Sequence, residues 1–172
     1  MASFTSPPER PAPAPREERL DSVAAQVQAL DELIVLARHT IRVFDLDMSE
    51  MGWNSAARTE RVAAFLRSAR HAKLDVIVHD TRYLESACPR FTMLLRQFSA
   101  AMTVYRTGPE ARSAMDPLTI VDARHFLHRH HVDQPRATLA IEQPALARPL
   151  VQRFEEIWGT GEPGLNATVL GL

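Results

Sequence analysis

The stretch LDVIVHD (Leu74–Asp80) constrains the fold more than any other part of the chain. Its apolar residues are nearly continuous instead of alternating, so a strand built from it belongs in a sheet covered on both faces. Helical patterns flank it. Upstream, Val62, Phe65, Leu66 and Ala69 recur at helical spacing, and Asn54 or Ser55 can cap that helix. Downstream, Met93, Leu94, Leu95 and Phe98 predict a helix over about Phe91–Ala100, and MTVYR (Met102–Arg106) a further strand. The alternation begins earlier still. Leu20, Val23, Ala24, Val27, Leu30, Ile34 and Ala37 predict an amphipathic helix from about Glu17 to about His39, and IRVFDLD (Ile41–Asp47) a strand leaving into a loop. Helices alternating with strands imply parallel neighbours joined by right-handed crossovers.

The pattern then shifts. LTIVD (Leu118–Asp122), HFLHRH (His125–His130) and ATLAIE (Ala137–Glu142) are strands too close for crossovers and predict an antiparallel meander. A last helix, Pro144–Trp158, opens on a proline suited to a first turn, carries Pro149 as a bend, and is expected to bury Leu146, Leu150, Phe154 and Ile157. The tail LNATVLGL is read as an edge strand. Five of the twelve prolines fall in the first sixteen residues, which predicts a disordered Pro-rich arm over 1–16. The expectation is a single α/β domain over 17–172, with a mixed sheet of six to seven strands and helices on both faces.

Composition narrows the function classes. Twenty Lys+Arg against 21 Asp+Glu give a formal charge of −1, so no global basic field points to nucleic acid. The lone cysteine, Cys88, excludes an internal disulfide and a multi-cysteine metal site. No export signal is visible, and no apolar run approaches the ~20 residues of a membrane span, which makes the cytoplasm the default location.

The most chemically loaded stretch is MDPLTIVDARHFLHRHH (residues 115–131), with His125, His128, His130 and His131 at its end. On a strand, His128 and His130 share a face with Phe126, and two imidazoles so placed can chelate a metal. A zinc site needs about three or four ligands, and Asp116, Asp122 and Asp133 stand at no recognised ligand spacing, so no metal or other cofactor is assigned. Arg124, His128, Arg129, His130 and Arg136 form a candidate anion site, able to hold a phosphate or a nucleic-acid backbone. The same arginines can equally be consumed in a structural ion network with Asp122 and Glu142. Trp53, in the loop after the first predicted strand, is either a ligand aromatic or a loop anchor. Asp45, Asp47 and Asp80 stand near predicted strand ends, where paired acids bind magnesium and where Asp also serves as a cap.

Three stretches carry a resemblance. SAARTERVAAFLRSARHAKLDVIVHD, LTIVDARHFL and IEQPALARPLVQRFEEIW, in that order over about residues 20–158, resemble one half of a phospholipase D-like protein. The resemblance extends to bacterial domains carrying a degenerate half of this kind, sometimes appended to acetyltransferase-like domains. That superfamily's signature is His-x-Lys, four residues, then Asp. The resemblance implies a nucleophilic His that attacks phosphorus, a Lys that neutralises phosphate oxygens, an Asp that helps orient the pocket, and no metal. Asp122 matches the motif's Asp, but Met115 stands in the His position and Pro117 in the Lys position; Arg129 and His130 replace a Gly-Ser pair, and Val132 falls near the Asn. A stray His71-x-Lys73 precedes its strand instead of lying on it, and its next acid, Asp80, comes too late to complete the motif. The expectation is a non-catalytic binding or assembly module that self-associates or docks on a related phospholipase D-like or acetyltransferase-associated partner. The alternative is an altered phosphodiesterase or a phosphate or nucleic-acid binder using the Arg/His strand 124–136. No membrane role is expected.

Overall fold

The computed structural model describes residues 9–167. Its first element contradicts the sequence pattern. Residues Arg16–Leu20 form strand β1, and helix α1 starts only at Val23 and ends at Leu36. Ser22 sets that start: its backbone is extended and its hydroxyl accepts the N–H of Ala25 at 3.1 Å. Leu20 matches the helical period yet is buried as the one inward residue of an edge strand. A single apolar position cannot separate the two periods.

The remaining order follows the expected alternation with tighter bounds. Strand β2 (Thr40–Asp45), helix α2 (Ala56–Ser68), strand β3 (Lys73–Val78), helices α3 (Arg82–Ala87) and α4 (Pro89–Gln97) and strand β4 (Met102–Arg106) lead into the meander. There β5 (Leu118–Val121), β6 (His125–Arg129) and β7 (Ala137–Ile141) pair in sequence, antiparallel. Helix α5 (Pro144–Trp158) and strand β8 (Glu162–Leu165) complete the described chain. Ser55 is the cap of α2, and Asn54 instead accepts the N–H of Arg90 at 2.9 Å. Helix α3 has no counterpart in the sequence reading; at six residues it is too short to show a period.

All eight strands form one mixed sheet in the order β1-β7-β6-β5-β2-β3-β4-β8. Strands β2, β3 and β4 are parallel, and β5 joins β2 antiparallel. The count is one above the expected range: β1 is the strand the sequence pattern does not show, and β1 and β8 are the two edges. The C-terminal edge strand ends where the predicted one begins, at Leu165, and residues 168–172 of the predicted tail strand lie outside the described residues.

Alternation along the strands splits the core in two. One layer packs Val43, Val76, Val104 and Leu127 under α1, α2 and α4. The other packs Phe44, Ile77, Ile120 and Phe126 under α5, whose buried residues are Ala147, Phe154 and Ile157. Leu146, expected inside, is 41% exposed; Ala147 takes the inward position at the start of α5. Among the described residues no helix is long and apolar enough to cross a membrane.

Candidate functional site

Strand directions place the motif positions. Because β5 runs antiparallel to β2, its start lies beside the carboxyl end of β2, with Leu118 opposite Phe44. Pro117 therefore sits where open α/β sheets place their ligand loops. Asp122 sits at the opposite end. With the four residues of β5 between them, rising about 3.3 Å each, Asp122 and Pro117 do not share a pocket. The Asp122 carboxylate instead accepts three backbone N–H groups in the turn between α1 and β2: Arg38 at 2.9 Å, His39 at 2.8 Å and Thr40 at 2.9 Å.

At the Pro117 end the space is filled. Arg129 points inward from β6, its side chain 8% exposed. Its guanidinium donates to the Glu50 carboxylate, to the Gln134 carbonyl at 2.8 Å and to the Val132 carbonyl at 2.6 Å. What remains beneath it is a cavity of about 20 Å³, lined by Gln26, Asp45, Trp53, Pro117 and Thr119 among others. That is room for about one water. Burial pushes the Asp45 carboxyl up to about 6, against the N–H of Leu46 that it accepts at 2.6 Å; the nearby Asp47 and Glu50 charges act in the same direction as burial.

The loop Leu46–Asn54 that supplies Glu50 is pinned by an arginine which, in sequence, looks like a surface charge. Arg58 is 1% exposed. Its guanidinium donates to Asp31 at 3.0 Å, to the Val27 carbonyl at 3.0 Å and to the Met51 carbonyl, and lies 5.4 Å from the centre of the Trp53 ring. Trp53 is 2% exposed and meets Phe91 edge-on at 6.3 Å, which makes it the loop anchor of the two sequence readings. The strand-end acids serve local turns: Asp47 accepts the N–H of Ser49 and Asp80 that of Arg82, both at 2.9 Å. His79 bridges Thr107 and Ala114. The Ala114 carbonyl can only accept, so Nε2–H donates to it at 2.7 Å, and Nδ1 shares a hydrogen bond with the Thr107 hydroxyl at 2.6 Å.

The five candidate anion-binding residues do not form one site: His128, His130 and Arg136 are neighbours, and Arg124 and Arg129 lie apart from them. Arg129 faces the α1 side. His128 faces the α5 side, 2.8 Å from Asp116, whose carboxylate also takes the Arg153 guanidinium. Burial alone would raise the Asp116 carboxyl, but the hydrogen bonds from His128 and Arg153 outweigh it and hold the group at about 2. His130 stacks edge-on to His128 at 5.3 Å and reaches Thr138 at 3.1 Å, and Arg136 lines a surface groove beside it. Arg124 pairs with Glu142 at 3.0 Å at the hairpin end. There His125 is buried, which lowers its proton affinity, and its Nδ1 accepts the Glu142 N–H at 2.8 Å. Met115 is 37% exposed. Among the described residues, no group of three or more His, Cys, Asp or Glu is placed to hold a metal. Sequence reasoning missed Glu50, Arg58 and Arg153, each a charge whose ionic partner lies far along the chain.

The fold has relatives among solved structures. TrmBL2, an archaeal chromatin protein whose structure describes a mode of DNA binding, superposes with a TM-score of 0.65 at 12% identity, covering 91% of this chain and 56% of that one. The chain thus spans little more than half the length of TrmBL2. The phospholipase D family member Nuc from Salmonella typhimurium gives 0.59 at 14% identity, covering 87% and 97%. NucT from Helicobacter pylori gives 0.55 at 11%, covering 88% and 100%. The fold is phospholipase D-like. No curated protein matches the sequence. A family profile described as "Domain of unknown function (DUF7931)" matches residues 22–170.

Proposed function

The chain belongs to the DUF7931 family and carries a phospholipase D-like fold, and from that premise we propose that it is a non-catalytic binding or assembly module. One observation carries the reading. Where the resembled motif needs a nucleophile and a phosphate clamp stand Met115 and Pro117, and the adjoining space is closed by Arg129 on Glu50 down to the volume of about one water. A thioether forms no phosphoryl-enzyme, and a pyrrolidine carries no charge to meet a phosphate. The test is hydrolysis of bis(p-nitrophenyl) phosphate, with and without chelator, by the wild type and by His128→Ala and His130→Ala. Background rates throughout are expected. Turnover that falls in His130→Ala would restore the altered-phosphodiesterase reading.

The assembly part rests on the resembled architecture, in which two halves meet across a two-fold axis. A single half then functions in the cytoplasm as a homodimer or docked on a related phospholipase D-like chain. Light scattering on a size-exclusion column reads this, and a strict monomer at high concentration removes the homodimer.

Nucleic acid is the second reading, favoured by the fold shared with TrmBL2, described as a chromatin protein that binds DNA. Against it stand the net charge of −1 and the pairing of Arg124, Arg129 and Arg153 with carboxylates. Titration of labelled duplex DNA and RNA across a salt series decides it. No salt-dependent shift at low ionic strength ends the reading.

A further inference from the structure

We propose that the groove between α1 and α2, at the end of the sheet opposite the filled site, docks an acidic amphipathic peptide segment of a partner protein. The groove has a volume of about 600 Å³. Its floor is apolar: Ile34 and Phe65 are buried beneath it, and Ala64 and Val35 line it, Val35 with 55% of its surface in solvent. Val35 and Ala64 thus add exposed aliphatic surface to a floor that Ile34 and Phe65 support from below.

The rim says what kind of cover fits. Arg10, Arg38, Arg61 and His39 line the groove, against one acid, Glu9. The Asp31 carboxylate that meets Arg61 at 3.0 Å also meets Arg58 at 3.0 Å, so two guanidiniums share one negative charge and a positive surplus remains. Arg38 turns its guanidinium to a neutral acceptor, the Arg10 carbonyl, at 2.6 Å. Apolar floor and cationic rim together match a peptide that presents a row of aliphatic side chains flanked by Asp or Glu, the mode in which an amphipathic helix lies in a groove. Charge on the rim then selects the partner, and the floor supplies the contact area.

The surface already holds peptide backbone. The groove runs on into a cleft beside Asp122, sharing Arg10, Val35, Leu36, Arg38 and His39 with it, and there the chain's own residues 10–13 form one wall. The grip of Arg38 on the Arg10 carbonyl shows how a rim arginine holds a main chain laid along the groove.

The proposal gives the binding-module reading a surface and rests on that reading for its purpose, but its geometry is independent. Phosphodiester turnover would overturn the earlier reading and leave this groove untouched. The probe is a fluorescein-labelled helical peptide with Leu at i, i+3, i+4 and i+7 and Glu elsewhere, with a Lys-for-Glu counterpart as control. Binding of the Glu peptide to the full chain is expected in the micromolar range, with amide shifts at residues 34–39 and 61–69. Val35→Glu and Arg38→Glu are each expected to weaken it about tenfold. Both are solvent-facing, and unchanged circular dichroism establishes that they fold. Absence of binding, equal binding of the Lys peptide, or shifts confined to other residues would overturn the proposal. So would self-association of the wild type that Val35→Glu abolishes, which would make a second copy the occupant.

Discussion

The Asp122 carboxylate accepts the backbone N–H of His39 at 2.8 Å, and the same oxygen takes Thr40 at 2.9 Å. One side chain in the β5–β6 hairpin thereby closes the turn that delivers α1 into β2. Asp122→Ala takes this acceptor from three N–H groups, two on exposed residues and one on the half-buried Thr40. Hydrogen bonds to charged groups are worth about 1.5–3 kcal/mol, although the three act as a unit and will not sum. The expected loss is about 2–3 kcal/mol, with Asp122→Asn in between, read as a lower urea midpoint at constant slope.

The neighbouring Ala123 gives the opposite sign. It sits at φ 55°, after Asp122 at φ 53°, in a turn closed by the Arg124 N–H on the Val121 carbonyl at 3.1 Å. Left-handed backbone costs a residue with a Cβ about 1–2 kcal/mol. Glycine relieves that cost and returns part of it as freedom in the unfolded chain. Ala123→Gly is expected to raise stability by about 0.5–1 kcal/mol, seen as a higher melting temperature.

Arg58 is the residue on which the β2–α2 loop depends. Arg58→Ala leaves the Asp31 carboxylate and two carbonyls facing a hole beside Trp53. The carboxylate is about a third exposed and keeps Arg61 at 3.0 Å, so the expected cost, about 2–3 kcal/mol, is mainly that of the two carbonyls left without a donor. Arg58→Lys is expected to recover little of this, since an ammonium cannot span the three acceptors as the guanidinium fork does. Denaturant unfolding followed by tryptophan fluorescence reports both the loss and the loosening of Trp53.

Asp45 makes stability fall as pH rises. Burial lifts its carboxyl from an ordinary 3.8 to about 6, so between those values the folded chain holds a proton that the unfolded chain has lost. Its contribution is therefore greatest below about pH 4 and is lost through about pH 6, to an extent of roughly 2–3 kcal/mol. Asp116, held at about 2, opposes it at the acid end, because its contribution is lost only as pH drops from 3.8 toward 2. Asp45→Asn keeps an oxygen for the Leu46 N–H and removes the charge. It is expected to be more stable than wild type at pH 7 and to flatten the profile between pH 4 and 6, as urea titrations at stepped pH will show.

Much of the fold was legible because burial writes itself into spacing. Strand β3, covered on both faces, reads as unbroken apolar residues, and α5 begins and ends at the predicted residues, Pro144 and Trp158. Strand β1 was not legible. It is an edge strand with one inward residue, Leu20, and its partner β7 lies more than a hundred residues away. The candidate site was legible only in part. Position on the motif identified Met115, Pro117 and Arg129, but the alternation that placed Arg129 and His128 on opposite faces could not say what each would meet.

The sequence by itself determined the class of fold, the order of its elements from α1 to α5 apart from the short α3, and the absence of the motif's His and Lys, because these depend on residue type and on spacing along one strand or helix. The tertiary structure alone decided that Asp122 clamps a backbone turn instead of serving a pocket, that Arg129 and Glu50 close the strand-end space, and that Arg58 is a core residue. A charge has no period. Its role is set by which carboxylate or carbonyl the folded chain brings to within about 3 Å of it, and those partners lie 79 residues apart for Arg129 and Glu50 and 83 for His39 and Asp122.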